Sequence, residues 1–457
     1  MLSRLVYTEK IAHSSYLVGS EGRAVIIDPR RDVEEYIQLA RELNLTITHV
    51  LQTHLHADFL SGHLELADRV GAEIIMPASA GADFPHQGVS EGDEIQVGKL
   101  LFRVLETPGH TPEHITYVLS DLDRGDVPCA IYCGDTLFVG DVGRPDLFPG
   151  SAHELTRQLF SSLHDKLLQL PDFVEVYPAH GPGSLCGRAI GQRRRSTIGY
   201  EKRLNPALQF KDADSFADWL LEGMPAAPDH FFRLSEINRQ GPQLLRELKP
   251  LTTLTPSQAR RVMQESRGVA IDIRGARSFS RSHIAGSFHI STRANFPTLA
   301  GWVIPPESPI VLISAREEEL TEAWDQLHRV GLDRIEGQLL TGIEGWETEG
   351  FPMDSLPLLE LDEFLALLKS AEPPLVVDVR SAAEFASGHI PESINIPVAD
   401  LRTRYTEVPP DRAAVLTCSG GYIGSLGCSL LKQRGRHRVS NLRFGLKRYI
   451  EAGGVLV

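Results

Sequence analysis

An α/β and α+β chain of several domains is predicted by three observations. Short β-rich runs lead into Asp, His or Gly over the first part of the chain, and the last part contains an internal repeat. The length of 457 residues also exceeds what one hydrophobic core usually serves. A hydrophobic fraction of 42% and a charged fraction of 23% are those of ordinary globular protein. The formal charge of -14 argues against a nucleic-acid partner, because binding phosphate backbones takes a concentrated basic surface. The one short basic run, Arg193-Arg194-Arg195, reads as a solvated helix face.

Met1 to Ile11 mixes Arg4, Glu9 and Lys10 with apolar residues and reads as a first strand, not a signal peptide. No apolar span of about 18 residues follows, so no membrane partner is expected and the expected location is cytoplasmic. The cysteines Cys129, Cys133, Cys186, Cys418 and Cys428 fall in no disulfide or zinc-finger spacing, which fits a reducing compartment.

In chain order, β-rich runs are expected at Ala24 to Ile27, Ile47 to Leu51, Glu73 to Met76, Ala130 to Tyr132 and Val174 to Val176, with helical stretches such as Glu34 to Leu43 between them. Polar residues gathered at strand ends imply a site at one rim of a sheet sandwich. Gly187 to about Leu248 reads as helical, punctuated by Pro206, Pro225, Pro228 and Pro242, and serves as a finishing segment and linker. The repeat follows. Asp272/Asp378, Arg274/Arg380, Phe279/Phe385, His283/His389 and Ile284/Ile390 keep identical offsets in two copies, separated by the Pro-rich stretch Phe351 to Pro357. Strand and helix alternation in each copy predicts a parallel α/β sheet.

The chemistry concentrates in Thr53-His54-Leu55-His56-Ala57-Asp58, then Thr107-Pro108-Gly109-His110, Cys133-Gly134-Asp135 and Tyr177-Pro178-Ala179-His180-Gly181. Imidazoles and carboxylates at successive strand ends can converge on one cation. This pattern resembles the metallo-β-lactamase superfamily over about Met1 to Arg203, which implies an αββα sandwich with a metal site at its edge. Phe59 stands where that family's motif has the histidine of a second metal. The remaining pattern is similar to the persulfide dioxygenases, and the resemblance implies one Fe(2+) per chain held by His54, His110 and Asp135. Two histidines and one carboxylate form the facial triad with which non-haem Fe(II) holds a substrate and O2 together. Gly140-Asp141-Val142-Gly143-Arg144-Pro145-Asp146 and Ser196 to Pro206 extend the resemblance, the second without a physical reason legible in the sequence.

His56, Asp58 and His180 are expected to orient the metal ligands by hydrogen bonds, or to be vestigial ligands. Arg144 is a candidate to grip a substrate carboxylate, with an ion pair to Asp146 or Asp141 as the alternative. Asp28 is expected to brace the loops of the site. His63, His86, His114, His153 and His164 match no ligand spacing and are expected on the surface or in packing. The same packing expectation covers Cys129, Cys133, Cys186 and Cys428, with Cys133 close to Asp135.

The repeated Asp-x-Arg and Phe-x-x-x-His-Ile pattern resembles the rhodanese fold, whose active loop begins with a sulfur-carrying cysteine. Thr417-Cys418-Ser419-Gly420-Gly421-Tyr422-Ile423 supplies it in the second copy, so Cys418 is a candidate nucleophile with a thiol pKa lowered by surrounding N–H groups. Ile423 replaces the usual arginine. The first copy has Ser314-Ala315-Arg316-Glu317 instead and is expected to be catalytically dead.

The domains expected are therefore a metallo-β-lactamase-fold domain over 1–240, a rhodanese-like domain without the cysteine over 241–354, and a rhodanese domain with Cys418 over 355–457. The implied function is oxidation of a low-molecular-weight thiol persulfide (glutathione, coenzyme A or similar) by O2 to sulfite, coupled to sulfur transfer through Cys418 that can yield thiosulfate. A dinuclear zinc hydrolase of the glyoxalase II type and a non-catalytic sulfur-sensing scaffold are the rivals. Superfamily habit implies a homo-oligomer.

Overall fold

The computed structural model describes residues 1–457 except 149, 223, 225, 226, 293, 294 and 341; Pro225 of the linker segment thus lies outside the described residues. The chain forms two compact units, Met1–Leu248 with Arg329–Gly331, and Lys249–His328 with Leu332–Val457.

In the first unit the β-rich runs build two six-stranded sheets. One sheet is ordered β1 (Leu2–Thr8), β2 (His13–Ser20), β3 (Arg23–Ile27), β4 (Thr46–Leu51), β5 (Glu73–Pro77) and β6 (Gln87–Val89). The other comprises β7 (Glu94–Val97), β8 (Leu100–Glu106), β9 (Ile115–Asp121) and β10 (Pro128–Gly134). A short ribbon, β11 (Leu137–Phe138) and β12 (Asp141–Val142), then precedes its last two strands, β13 (Glu175–Pro178) and β14 (Ser196–Thr197). The second sheet runs β14-β13-β10-β9-β8-β7. Val18, Ile27, Leu51, Phe102, Leu119 and Tyr132 interdigitate between the sheets. Helix Glu34–Glu42 buries Tyr36, Ile37 and Ala40 on the outer face of the first sheet, and helix Ala152–Ser161 buries Leu155 and Leu159 on that of the second. This is the expected αββα sandwich. Strands β3, β4 and β5 pair in parallel, as do β10 and β13, so their C-terminal ends share a direction and loops of irregular backbone gather there.

The second unit contains two parallel sheets. Phe288–His289, Val269–Asp272, Ile310–Ile313 and Ile335–Leu339 form the first; Leu358–Leu359, Val439–Leu442, Ala414–Thr417, Leu375–Asp378 and Ile394–Asn395 form the second. The repeated residues have the same task in each. The Arg274 guanidinium grips the Asp272 carboxylate and the Ser282 carbonyl, and Arg380 grips Asp378 and the Gly388 carbonyl. Phe279 stacks on His283 at 3.8 Å and Phe385 on His389 at 3.7 Å. The fork closes the turn after the strand and the stack fixes the short helix that follows, which is why these side chains recur at fixed spacing.

Candidate metal centre

Residues from four strand ends meet at the rim of the sandwich. His54 follows β4, His110 follows β8, Asp135 follows β10 and His180 follows β13, and all four are buried. His54 Nε2 lies 3.9 Å and His110 Nε2 3.4 Å from Asp135 Oδ2. The donor atoms of these three residues lie within 4.8 Å of one another. Adjacent corners of an octahedron with the ~2.1 Å bonds that imidazole makes to such metals are about 3 Å apart, so the set is close to ligating distance.

The hydrogen-bond network fixes both imidazole tautomers. The Thr53 hydroxyl donates to Asp28 Oδ2 at 2.9 Å, so the contact of 2.8 Å between Thr53 Oγ1 and His54 Nδ1 requires His54 to donate. His110 Nδ1 lies 2.8 Å from the Arg144 carbonyl, which only accepts. Each ring therefore turns an unprotonated Nε2 toward Asp135, and His110 Nε2 has no hydrogen-bond partner among the described residues. A buried acceptor without a partner is costly unless something else satisfies it. Burial lowers the pKa of both rings, which keeps them neutral and ready to ligate. Burial works against an ionised Asp135, but His180 and His110 hold its pKa far below the usual carboxylate range.

His180 Nδ1 donates to Asp135 at 2.8 Å, and its Nε2 lies 2.9 Å from Asp58 Oδ2. Burial opposes its charged form, yet the two carboxylates hold its pKa well above the ordinary value. His56 Nε2 is 3.3 Å from Asp28 Oδ1. Asp28 braces the motif as expected, accepting the Thr53 N–H at 2.8 Å. Phe59 is fully buried, with its ring centroid 4.4 Å from that of His56 and 4.1 Å from that of His13. Its ring packs hydrocarbon against His13 and His56, in the place next to Asp58 in the chain.

For Arg144 the ion-pair alternative holds, and several other expectations need correction. The Arg144 guanidinium is buried, binds Asp146 in a bidentate pair at 2.7 and 2.8 Å and donates to the Leu185 carbonyl, so its face is committed inside the protein and not to a substrate carboxylate. It is the backbone of this residue that serves the site, through His110. His114 is not a mere packing histidine. Its Nε2 accepts the Asp135 N–H at 3.0 Å, its Nδ1 meets the Thr107 and Thr136 hydroxyls, and its ring stacks on His54 at 4.7 Å. Burial pushes its pKa down to about 3, so it stays a neutral acceptor there. Cys186 also leaves the packing class, because its Sγ clusters with donor atoms of Asp58 and His180. Cys133 Sγ instead donates to the Leu137 and Tyr177 carbonyls. The linker contributes too: Asn238, on helix His230–Gln240, donates to the carbonyls of His56 and Phe59 and accepts from Ser61, pinning the motif loop.

The segment Ser196 to Pro206 gains a physical reason. Buried Glu201 accepts the Gly140 N–H at 2.8 Å, and Asn205 donates to the Asp141 carbonyl at 3.0 Å, so helix Ile198–Leu204 holds the β11–β12 ribbon that delivers Gly143 and Arg144. The preceding Arg193 to Arg195 lie in a loop before β14 and not on a helix.

In the second unit Cys418 follows the strand Ala414–Thr417, and its sulfur accepts the Gly421 N–H at 3.0 Å. The expected lowering of its pKa is overturned. Burial pushes the thiol up, and the N–H groups of Gly424, Ile423, Gly420 and Gly421 only partly offset it. In the first copy the Ser314 hydroxyl donates to Glu319 and accepts from the Arg316 N–H, so that loop is closed on itself.

An αββα sandwich with a histidine- and aspartate-lined rim, followed by two parallel α/β repeats, defines a metal-binding enzyme fused to rhodanese-like domains. The chain belongs to the metallo-beta-lactamase superfamily, whose model matches residues 9–180, and the rhodanese-like domain model matches residues 255–349 and 360–452. It is 32% identical to the mitochondrial persulfide dioxygenase of Bos taurus over 46% of this chain and 76% of that protein. It is 34% identical to a hydroxyacylglutathione hydrolase of Rhodopseudomonas palustris over 47% of this chain and 76% of that protein. Among solved structures, a metallo-beta-lactamase from Staphylococcus aureus superposes with a TM-score of 0.66 at 34% identity, covering 74% of this chain and 98% of that one.

Proposed function

We propose that the chain is a non-haem iron persulfide dioxygenase, with one Fe(2+) held by His54, His110 and Asp135 and with Cys418 as a sulfur carrier. The observation that carries this reading is Phe59. A buried phenyl ring beside His56 and Asp58 removes one ligand of a second metal while the His54, His110 and Asp135 donors stay together. The balanced reaction is RSSH + O2 + H2O giving RSH, sulfite and two protons. Iron(II) at such a triad supplies the route by which triplet O2 reacts with closed-shell sulfur.

The protein's own groups have separable tasks. Thr53 and the Arg144 carbonyl fix the two imidazoles, while His180 and the His114-bound amide of Asp135 orient the carboxylate. Burial of all of them excludes bulk water from the reacting atoms. A Cys418 persulfide attacked by sulfite gives thiosulfate and regenerates the thiol, with the sulfane sulfur moving from cysteine to sulfite. The described cysteines are all unpaired, so Cys418 is available as a free thiol.

The test is metal content beside oxygen uptake on purified protein given glutathione persulfide or coenzyme A persulfide, with His110→Ala and Cys418→Ser alongside. About one iron per chain, uptake lost in His110→Ala and kept in Cys418→Ser, is expected. Two zinc ions with thioester cleavage and no oxygen uptake would establish the hydrolase instead.

A further inference from the structure

Beside the metal rim the sandwich has an open seam. There the edge strand β1 of one sheet approaches β13 and β14 of the other, leaving a cavity of about 610 Å³. That volume lies within the range of small-ligand sites. Leu5 and the edges of Tyr16 and Tyr177 give it an apolar floor, and Arg193, Arg194 and Arg195 stand over it.

These arginines are exposed at the surface, and two of them lie over aromatic rings. Arg194 lies 3.2 Å from the ring centroid of Tyr7 and Arg193 lies 5.1 Å from that of Tyr200. Among the described residues neither has a carboxylate partner. A guanidinium that uses its face on a ring keeps its in-plane N–H fork for another acceptor, and the stack holds the fork still beforehand. Arg195 has a long contact to Glu175, at 3.9 Å, and a side-chain contact with the Tyr177 hydroxyl, which itself donates to Glu175. Among the described residues the three guanidinium groups thus have one carboxylate contact between them, Arg195 with Glu175, in a chain whose formal charge is -14. The surroundings would repel a polyanion everywhere except where such positive charge is concentrated.

We infer that this seam binds the phosphate groups of a nucleotide-class ligand, with the arginine forks on phosphate oxygens and the apolar floor under the organic part. Planar forks match phosphate in bidentate geometry, and an inorganic anion alone has no use for the Leu5 and tyrosine floor. The ligand is either a free nucleotide or the nucleotide portion of a carrier thiol such as coenzyme A. The second source rests on the dioxygenase reading and has a structural path. The Tyr7 ring under Arg194 lies 3.3 Å from where a side chain on Gly181 would begin, and Gly181 follows His180.

Calorimetric titration of the full chain with ADP, coenzyme A and inorganic phosphate tests the site without any turnover. ADP and coenzyme A are expected to bind and to compete. The Arg193→Glu/Arg195→Glu double variant and, separately, Arg194→Ala should weaken both at least tenfold, and binding should fall with added salt. Equal metal content and circular dichroism in the variants show that folding is intact. No ADP binding, or binding unchanged in both variants, overturns the site, and phosphate binding as tightly as ADP overturns the nucleotide class. A kinetic arm separates the sources. A tenfold rise in KM for coenzyme A persulfide, with KM for glutathione persulfide unchanged, assigns the ligand to the carrier; unchanged KM for both, with ADP binding lost, assigns it to a free nucleotide. Absence of oxygen uptake altogether would count against the dioxygenase reading and leave the titration result standing.

Discussion

Gly143→Ala is the sharpest test of how the metal ligands are held. A Cβ at this position would lie 1.9 Å from the Asp135 carbonyl oxygen and 3.1 Å from the Cβ of His110. A carbon tolerates a carbonyl oxygen no closer than about 3.3 Å, so the two segments must part by roughly 1.4 Å. The hydrogen bond from His110 Nδ1 to the Arg144 carbonyl is 2.8 Å long and belongs to the segment that moves. Stretched by that amount it is no longer a hydrogen bond. His110 then loses the contact that sets its tautomer and ring plane. Losing such a support typically lowers metal affinity 10- to 100-fold, about 1.4 to 2.7 kcal/mol. The assay is competition for Fe(II) or Zn(II) against a chelator of known affinity, with Gly92→Ala as control. Gly143 itself has no positive φ, whereas Gly92 has φ 85° and a Cβ there meets nothing within 4 Å, so Gly92→Ala reports backbone strain alone and Gly143→Ala the clash. Wild-type affinity in Gly143→Ala with the fold intact would refute the idea that the Gly143–Arg144 backbone positions His110.

Phe59→His should raise zinc loading from about one to about two ions per chain, because it returns an imidazole beside Asp58 and His180; unchanged stoichiometry by elemental analysis would show that more than this ring closes the second site. Cys418 should react with iodoacetamide at a rate still climbing through the alkaline range, since burial raises its pKa above that of an ordinary thiol and the thiolate fraction grows with pH. A rate plateau below pH 8 would contradict that direction. Asn441→Ala should slow sulfur transfer about tenfold and cost about 1–3 kcal/mol of stability, because buried Asn441 donates to the Gly421 carbonyl and Ser425 hydroxyl that hold the Cys418 loop, both at 2.9 Å. The positioning role is wrong if the alkylation rate of Cys418 and the transfer rate both stay at wild-type values while melting temperature falls.

What the sequence makes legible is what is local. A strand followed within four residues by His54, His110, Asp135 or His180 marks the rim, because the strand end fixes where the side chain emerges. The Asp-Arg fork and Phe-His stack of the repeats are legible for the same reason, since each closes within a dozen residues. His114 was within reach of the same logic. β8 and β9 pair with Glu106 opposite Ile115, and continuing that register one step sets Thr107 opposite His114, on the rim. Cys186 and Asn238 carry no such signal, because they arrive at the rim from a coil and from a helix whose positions depend on tertiary packing. Cys418 illustrates a different limit. Its loop announces several N–H donors, but the sign of its pKa shift depends on how completely those donors replace water, and burial outweighs them. Arg193 to Arg195 combine both limits. Their charge is plain in the sequence, and Tyr200 lies only seven residues beyond Arg193, but Tyr7, over which Arg194 lies, comes from a distant strand, and that contact is set by tertiary packing.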